Sequence, residues 1–135
     1  MIQLIIKYCV PGIGAPELCD EKISGEILRN NMISKKISLN FEVYGRWWDR
    51  NEEIDLIALN SKTNEILFGE VKWSNKPVGT NIYEDLKKKS QRVEWGKKKR
   101  KEYFALFSKS GFTPDMEKMA KKEKVYLFRK DKLQN

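Results

Sequence analysis

Two apolar runs, Ile54 to Leu59 and Ile66 to Phe68, flank the segment Asn60-Ser61-Lys62-Thr63-Asn64, and this arrangement constrains the fold more than any other stretch. Turn-forming residues between two short β-favouring runs predict a hairpin. The first run, Glu53-Ile54-Asp55-Leu56-Ile57-Ala58-Leu59, carries a carboxylate near its start, and Ile66-Leu67-Phe68-Gly69 closes on Glu70-Val71-Lys72. Successive strand side chains face opposite ways, so Glu70 and Lys72 share a face while Val71 points into the other layer. The fold-back brings Asp55 beside them.

An acid pair with a lysine suits phosphodiester cleavage. That chemistry needs a neutralised phosphate and a hydroxide at neutral pH, both supplied by a hard divalent cation. Two carboxylates leave most of an octahedral shell to water and substrate phosphate, as magnesium prefers, and manganese would serve similarly. The Lys72 ammonium can hold the attacking water or stabilise developing charge. With 34% of residues charged, the same triplet could instead be a solvated cross-strand pair worth under about 1 kcal/mol. What favours chemistry is that both carboxylates sit at the polar ends of otherwise apolar strands.

The rest of the chain supplies a scaffold. Cys19, Ile23, Ile27 and Leu28 have helical spacing, predicting a helix over about 16–33. Strands follow at 37–48, 53–60 and 65–73 as an antiparallel meander. A second helix is expected over 82–98, with Ile82, Leu86 and Val93 inward and lysines outward. Strands at 103–108 and 124–128 enclose a helix that Thr113 caps and Pro114 opens, leading into 116–121. The predicted order is αβββαβαβ, an α/β (α+β) mixed sheet flanked by helices on both faces. One domain spans 16–135. Residues 1–15 stay unassigned, their start reading as a strand rather than a signal peptide.

Composition narrows the functions. At 135 residues and 40% hydrophobic, the chain can bury a core, and no apolar run reaches membrane-spanning length, so a cytoplasmic protein is expected. Histidine is absent, which excludes imidazole acids, bases and metal ligands. Cys9 and Cys19 form no metal or disulfide pattern, and Gly12-Ile13-Gly14 is no P-loop. Residues 1–60 carry 7 Lys+Arg against 9 Asp+Glu, whereas 61–135 carry 20 against 10. The densest stretch, Lys87-Lys88-Lys89, Arg92 and Lys97-Lys98-Lys99-Arg100-Lys101 with Trp95 and Tyr103, suits a nucleic-acid backbone or a solvated helix face equally. Of Trp47 and Trp48, at least one is expected in the core. Arg46 and Arg50, flanking the hairpin, could grip a phosphate or pair with Asp49 or Glu52.

The element order with Asp55 and Glu70-Val71-Lys72 resembles the PD-(D/E)XK nuclease superfamily and its restriction-endonuclease-like core. More specifically, Gly45-Arg46-Trp47-Trp48-Asp49-Arg50, Glu53 to Asn60, Phe68-Gly69-Glu70-Val71-Lys72-Trp73 and Tyr103 to Phe112 resemble the C-terminal domain of archaeal P-loop ATPases, a domain of unknown function. The resemblance implies Asp55 and Glu70 as metal ligands and Lys72 as the catalytic lysine. It also implies a helix-borne glutamate, which falls on Glu21, with Glu26 and Glu17 as alternatives; Asp20 stands where an aromatic usually precedes that glutamate.

Together these readings predict a magnesium- or manganese-dependent DNA endonuclease-like domain. Arg46, Arg50, Lys87, Lys88, Arg92 and Lys97 to Lys101 would contact DNA. The alternative is a catalytically silent DNA-binding or interaction module working with a P-loop ATPase on another chain. A homodimer would suit cutting of two strands.

Overall fold

The predicted hairpin forms, and a six-stranded sheet is built around it. The computed structural model describes Asn30 and residues 39–134. In chain order these hold β1 (Val43–Asp49), β2 (Glu52–Asn60), β3 (Glu65–Lys72), α1 (Thr80–Ser90), β4 (Lys101–Ser108), α2 (Pro114–Glu123), β5 (Tyr126–Arg129) and β6 (Lys132–Leu133). Strands lie side by side in that same order. β1, β2 and β3 are antiparallel, β3 to β5 are parallel through the two helical crossovers, and β6 turns back on β5. This is the expected mixed α/β architecture. The helix expected over 16–33 lies outside the described residues apart from Asn30, which is helical. Residues 1–15 also lie outside them, as do Cys19, Glu17, Glu21 and Glu26.

Period-2 alternation divides the core into two layers. Trp47, Ile57, Leu59, Ile66, Phe68 and Leu106 face one way and pack with Tyr83 and Leu86 of α1 and Met116 and Ala120 of α2. Both described helices therefore cover that face. Leu56, Ala58, Leu67, Ala105, Phe107 and Phe128 form the opposite layer with Phe41, and Phe107 stacks on Phe128 at 4.8 Å. Trp47 is core, as expected for one of the adjacent tryptophans.

The turn chemistry works as read. Asn60 Oδ1 accepts from the N–H groups of Lys62 and Thr63, and Asn64 takes the left-handed conformation (φ 57°) that asparagine tolerates. The Thr113 side chain accepts from Met116 N–H at 3.2 Å, capping α2 with Pro114 in its first turn.

Two expectations need correcting, and one short strand carries no sequence signal. β1 begins at Val43 rather than Ile37: residues 39–42 are not strand, although Asn60 Nδ2 donates to Asn40 O and Glu42 N–H to Leu59 O, and residues 37–38 lie outside the described residues. The pair β5–β6 was not anticipated beyond β5, since two residues after a turn are too few to show a period. α1 stops at Ser90 instead of continuing to Lys98. Its end is sealed by a residue ten positions on: Arg100 donates to Ser90 O at 3.0 Å, Val93 O at 2.7 Å and Trp95 O at 2.8 Å, with its guanidinium 5.5 Å from the Phe68 ring centre. Helix-end carbonyls need such partners.

Arg100→Ala would remove the donor from Val93 O and Trp95 O and leave Ser90 O with Val93 N–H alone, and it is expected to lower unfolding free energy by about 1–3 kcal/mol. Exposed Lys98→Ala should change it by less than about 0.5 kcal/mol. Denaturant midpoints of the two variants check this, and equal midpoints would refute the capping role.

Candidate active site

Asp55 is placed by an irregularity in the β1–β2 ladder. Gly45 pairs with Ile57 and Trp47 with Ile54, so the single residue Arg46 on β1 faces both Asp55 and Leu56 on β2. This is a β-bulge, which re-aims side chains next to functional sites. Ile54 and Ile57 consequently join one core layer and Leu56 the other.

Glu70 is reached from the other side. The β2–β3 ladder runs from Asn60/Glu65 to Leu56/Gly69, and beyond it the Asp55 carboxylate replaces the partner backbone: Oδ2 accepts from Val71 N–H at 3.0 Å. Gly69 allows the strands to come this close, since a Cβ there would lie 3.1 Å from Leu56 Cβ and Cδ2 and 3.3 Å from Phe107. The sheet is thus tight immediately before the carboxylates and parts at them.

The electrostatics follow from burial. Glu70 is 6% exposed. Its Oε1 takes a 3.4 Å contact from Lys89 Nζ, which also reaches Asp85 Oδ2 at 3.2 Å, while Oε2 is buried with no hydrogen-bond partner. Burial and then the Asp55 charge push the Glu70 carboxyl up to about 7, against the pull of Lys89 and Lys72. Burial likewise raises Asp55, against Val71 N–H, Arg46 and Lys72. Burial is the leading cause at both carboxyls, and it outweighs the cations Arg46, Lys72 and Lys89 that pull the other way.

Those donors fit a hard cation. They are oxygen ligands, one carries a partnerless buried oxygen, and magnesium and manganese are content with two carboxylates when water and phosphate complete the shell. Among the described residues no group of three histidine, cysteine, aspartate or glutamate side chains comes together. The helix glutamate that the resemblance implied, Glu21 or its alternatives, lies outside them.

The predicted cations separate. Lys72 is exposed two positions from Glu70 on the same face. Arg46 faces Asp55 across the bulge, and exposed Arg50, with φ 55°, forms the β1–β2 turn at this end of the sheet. Arg92 pairs with Glu52, and Lys87 with Glu123 at 2.8 Å; Lys88 is exposed. Lys97 to Lys101 are elsewhere: Lys97 N–H donates to Asn64 Oδ1, Lys101 N–H to Asn64 O, and Lys101 stands in register with Glu65 across β3 and β4. Five residues of strand separate that end from Glu70, roughly 17 Å. Arg100 is committed to the α1 terminus.

A family profile described as archaea bacterial proteins of unknown function, DUF234, matches residues 19–94, more than half of the chain and all of Asp55, Glu70 and Lys72. The chain belongs to the DUF234 family. An uncharacterized protein of Methanocaldococcus jannaschii is 41% identical over 91 residues, 66% of this chain and 20% of that protein. The DUF234 chain therefore spans about one fifth of this relative's length. A repair endonuclease from Pyrococcus abyssi superposes over 90% of the chain and 49% of its own, with a TM-score of 0.46 and 16% identity. No helix of the described DUF234 residues is long and apolar enough to cross a membrane.

Sequence reasoning missed Lys89 as the partner of Glu70. A signal existed: Ile82, Leu86, Lys89 and Val93 follow helical spacing, so a lysine stands in the apolar stripe. A cation on a core-facing stripe is favoured by an anion within reach, here buried Glu70 together with exposed Asp85.

Proposed function

We propose that this chain is a nuclease-like domain that cleaves DNA phosphodiesters with magnesium or manganese. The observation carrying this reading is the Asp55–Glu70 pair, both carboxyls pushed upward, with Glu70 Oε2 buried and partnerless beside Lys72. A bound divalent ion supplies phosphate neutralisation and a hydroxide at neutral pH. Asp55, anchored through Oδ2 by Val71 N–H, and Glu70, anchored through Oε1 by Lys89, each keep a second oxygen for that ion. Lys72 orients the attacking water and stabilises charge gathering on the phosphate oxygens. Arg46 steadies the Asp55 charge, and Arg50 stands where an incoming backbone phosphate could be met.

The second reading is a catalytically silent module. The match covers only 20% of the Methanocaldococcus relative, so there the domain is a minor part of a larger chain. A silent DNA-binding or interaction module serving a P-loop ATPase would fit such a context.

Incubation with labelled single-stranded, duplex and branched DNA, with magnesium, manganese or chelator, decides between them. Metal-dependent cutting that Asp55→Ala abolishes is expected. Salt-sensitive binding with no cutting on any DNA would overturn the nuclease reading in favour of the module.

A further inference from the structure

Trp73 is 51% exposed and is the one large hydrophobic side chain so exposed among the described residues. A single exposed apolar side chain is ordinary in itself. Its surroundings are not. It directly follows Lys72 where β3 ends, and there Lys72, Ser108 and Arg129 stand in register across the parallel strands β3, β4 and β5. Ligands of open α/β sheets gather at the carboxyl ends of such strands.

The ledge carrying Trp73 is built. Ser110 Oγ donates to Ser74 O at 2.5 Å and Lys109 Nζ to Asn75 Oδ1 at 3.4 Å, while Val78 N–H donates to Gly111 O and Thr113 N–H to Val78 O. Segments 73–79 and 109–113 contain no acidic residue. Lys72, Lys76, Lys109, Arg129 and Lys130 are all exposed around the ledge, and no salt bridge among the described residues engages them. Trp95, the tryptophan of the distant lysine run, instead packs against the core.

An exposed indole among unspent cations is complementary to one kind of polymer. Unpaired bases offer a free π-face between phosphates, whereas the bases of a continuous duplex are already stacked. We propose that Trp73 is a stacking platform for an unpaired base, and that Lys76, Lys109 and Arg129 hold the phosphates of single-stranded DNA leading to the carboxylate pair. This rests on the reading of Asp55, Glu70 and Lys72 as the phosphodiester site, and it makes the substrate a single strand or the splayed part of a branched one.

The test is fluorescence anisotropy of a labelled oligothymidylate and of a blunt duplex of equal length, in chelator. Trp73→Ala is expected to weaken oligothymidylate binding roughly tenfold or more, with Trp73→Phe retaining most of it and duplex affinity unchanged. Lys76→Ala and Lys109→Ala should flatten the salt dependence, which Trp73→Ala leaves as it was. Unchanged binding by Trp73→Ala, or equal losses on both DNAs, would overturn the platform. Cutting is scored separately with metal. Trp73→Ala cutting all DNAs like wild type would remove the platform and keep the nuclease; Trp73-dependent oligothymidylate binding without cutting by wild type would keep the platform and remove the nuclease.

Discussion

Lys72→Met should lower metal-dependent DNA cleavage by about a hundredfold or more, with divalent-ion binding and melting temperature close to wild type. Removing one preorganised charge that acts on the transition state typically costs about 10²–10³ in rate. Lys72 is exposed, so its loss leaves no cavity, and Asp55 and Glu70 keep Val71 N–H and Lys89 when its pull is gone. Methionine keeps the length of the stem and discards the charge. Lys72→Arg would retain the charge but present it as a planar fork, and partial recovery of rate is the expected result. Isothermal titration with manganese separates the roles, because Asp55→Ala should weaken ion binding whereas Lys72→Met should not. Rates equal to wild type would remove Lys72 from the chemistry, and a matching loss of ion affinity would make it part of the ion site instead.

How far these roles could be read from sequence differs by element. The hairpin was legible because Asn60 and Asn64 act within a few residues of themselves, and the α2 start was legible because Thr113 caps its own helix. Local chemistry leaves a local signature. The bulge at Asp55 and Leu56 was not, since it exists relative to the register of β1, and register is a property of two strands. The end of α1 is hidden in the sequence for a similar reason: Arg100 satisfies the carbonyls of Val93 and Trp95 and shares that of Ser90 with Val93 N–H, and its position depends on where β4 begins. The same displacement carries Lys97 to Lys101 away from Glu70, so a basic run close to the carboxylates in sequence is remote from them along the strand. Lys89 was visible as an anomaly in the helical stripe, but its partner Glu70 could be named only after the sheet and helix were packed together.

The buried acid makes stability depend on pH in a direction opposite to that of an ordinary salt-bridged carboxylate. In the unfolded chain Glu70 releases its proton near 4.5, whereas in the fold it holds the proton up to about 7. Between those values the folded state binds more protons than the unfolded state, so this group's contribution is fully present below 4.5, declines as pH rises, and is lost above about 7. At about 1.36 kcal/mol for each pKa unit, the ceiling is roughly 3 kcal/mol. Glu70→Gln removes the titration while keeping the shape; the relief of Asp55 repulsion and the loss of the Lys89 ion pair are both already contained in that shift. The variant should therefore gain stability relative to wild type as pH rises through this window, with a difference of roughly 5 °C or more in melting temperature at pH 8. Magnesium or manganese should then raise the wild-type melting temperature at pH 8 saturably, by mass action on the folded state, and should raise that of Glu70→Gln much less. Thermal melts of both proteins across pH, with and without the ion, test the two halves separately. A stability difference that ignores pH would mean that Glu70 is not held protonated by the fold, and equal responses to the ion would mean that its partnerless oxygen is not where the ion binds.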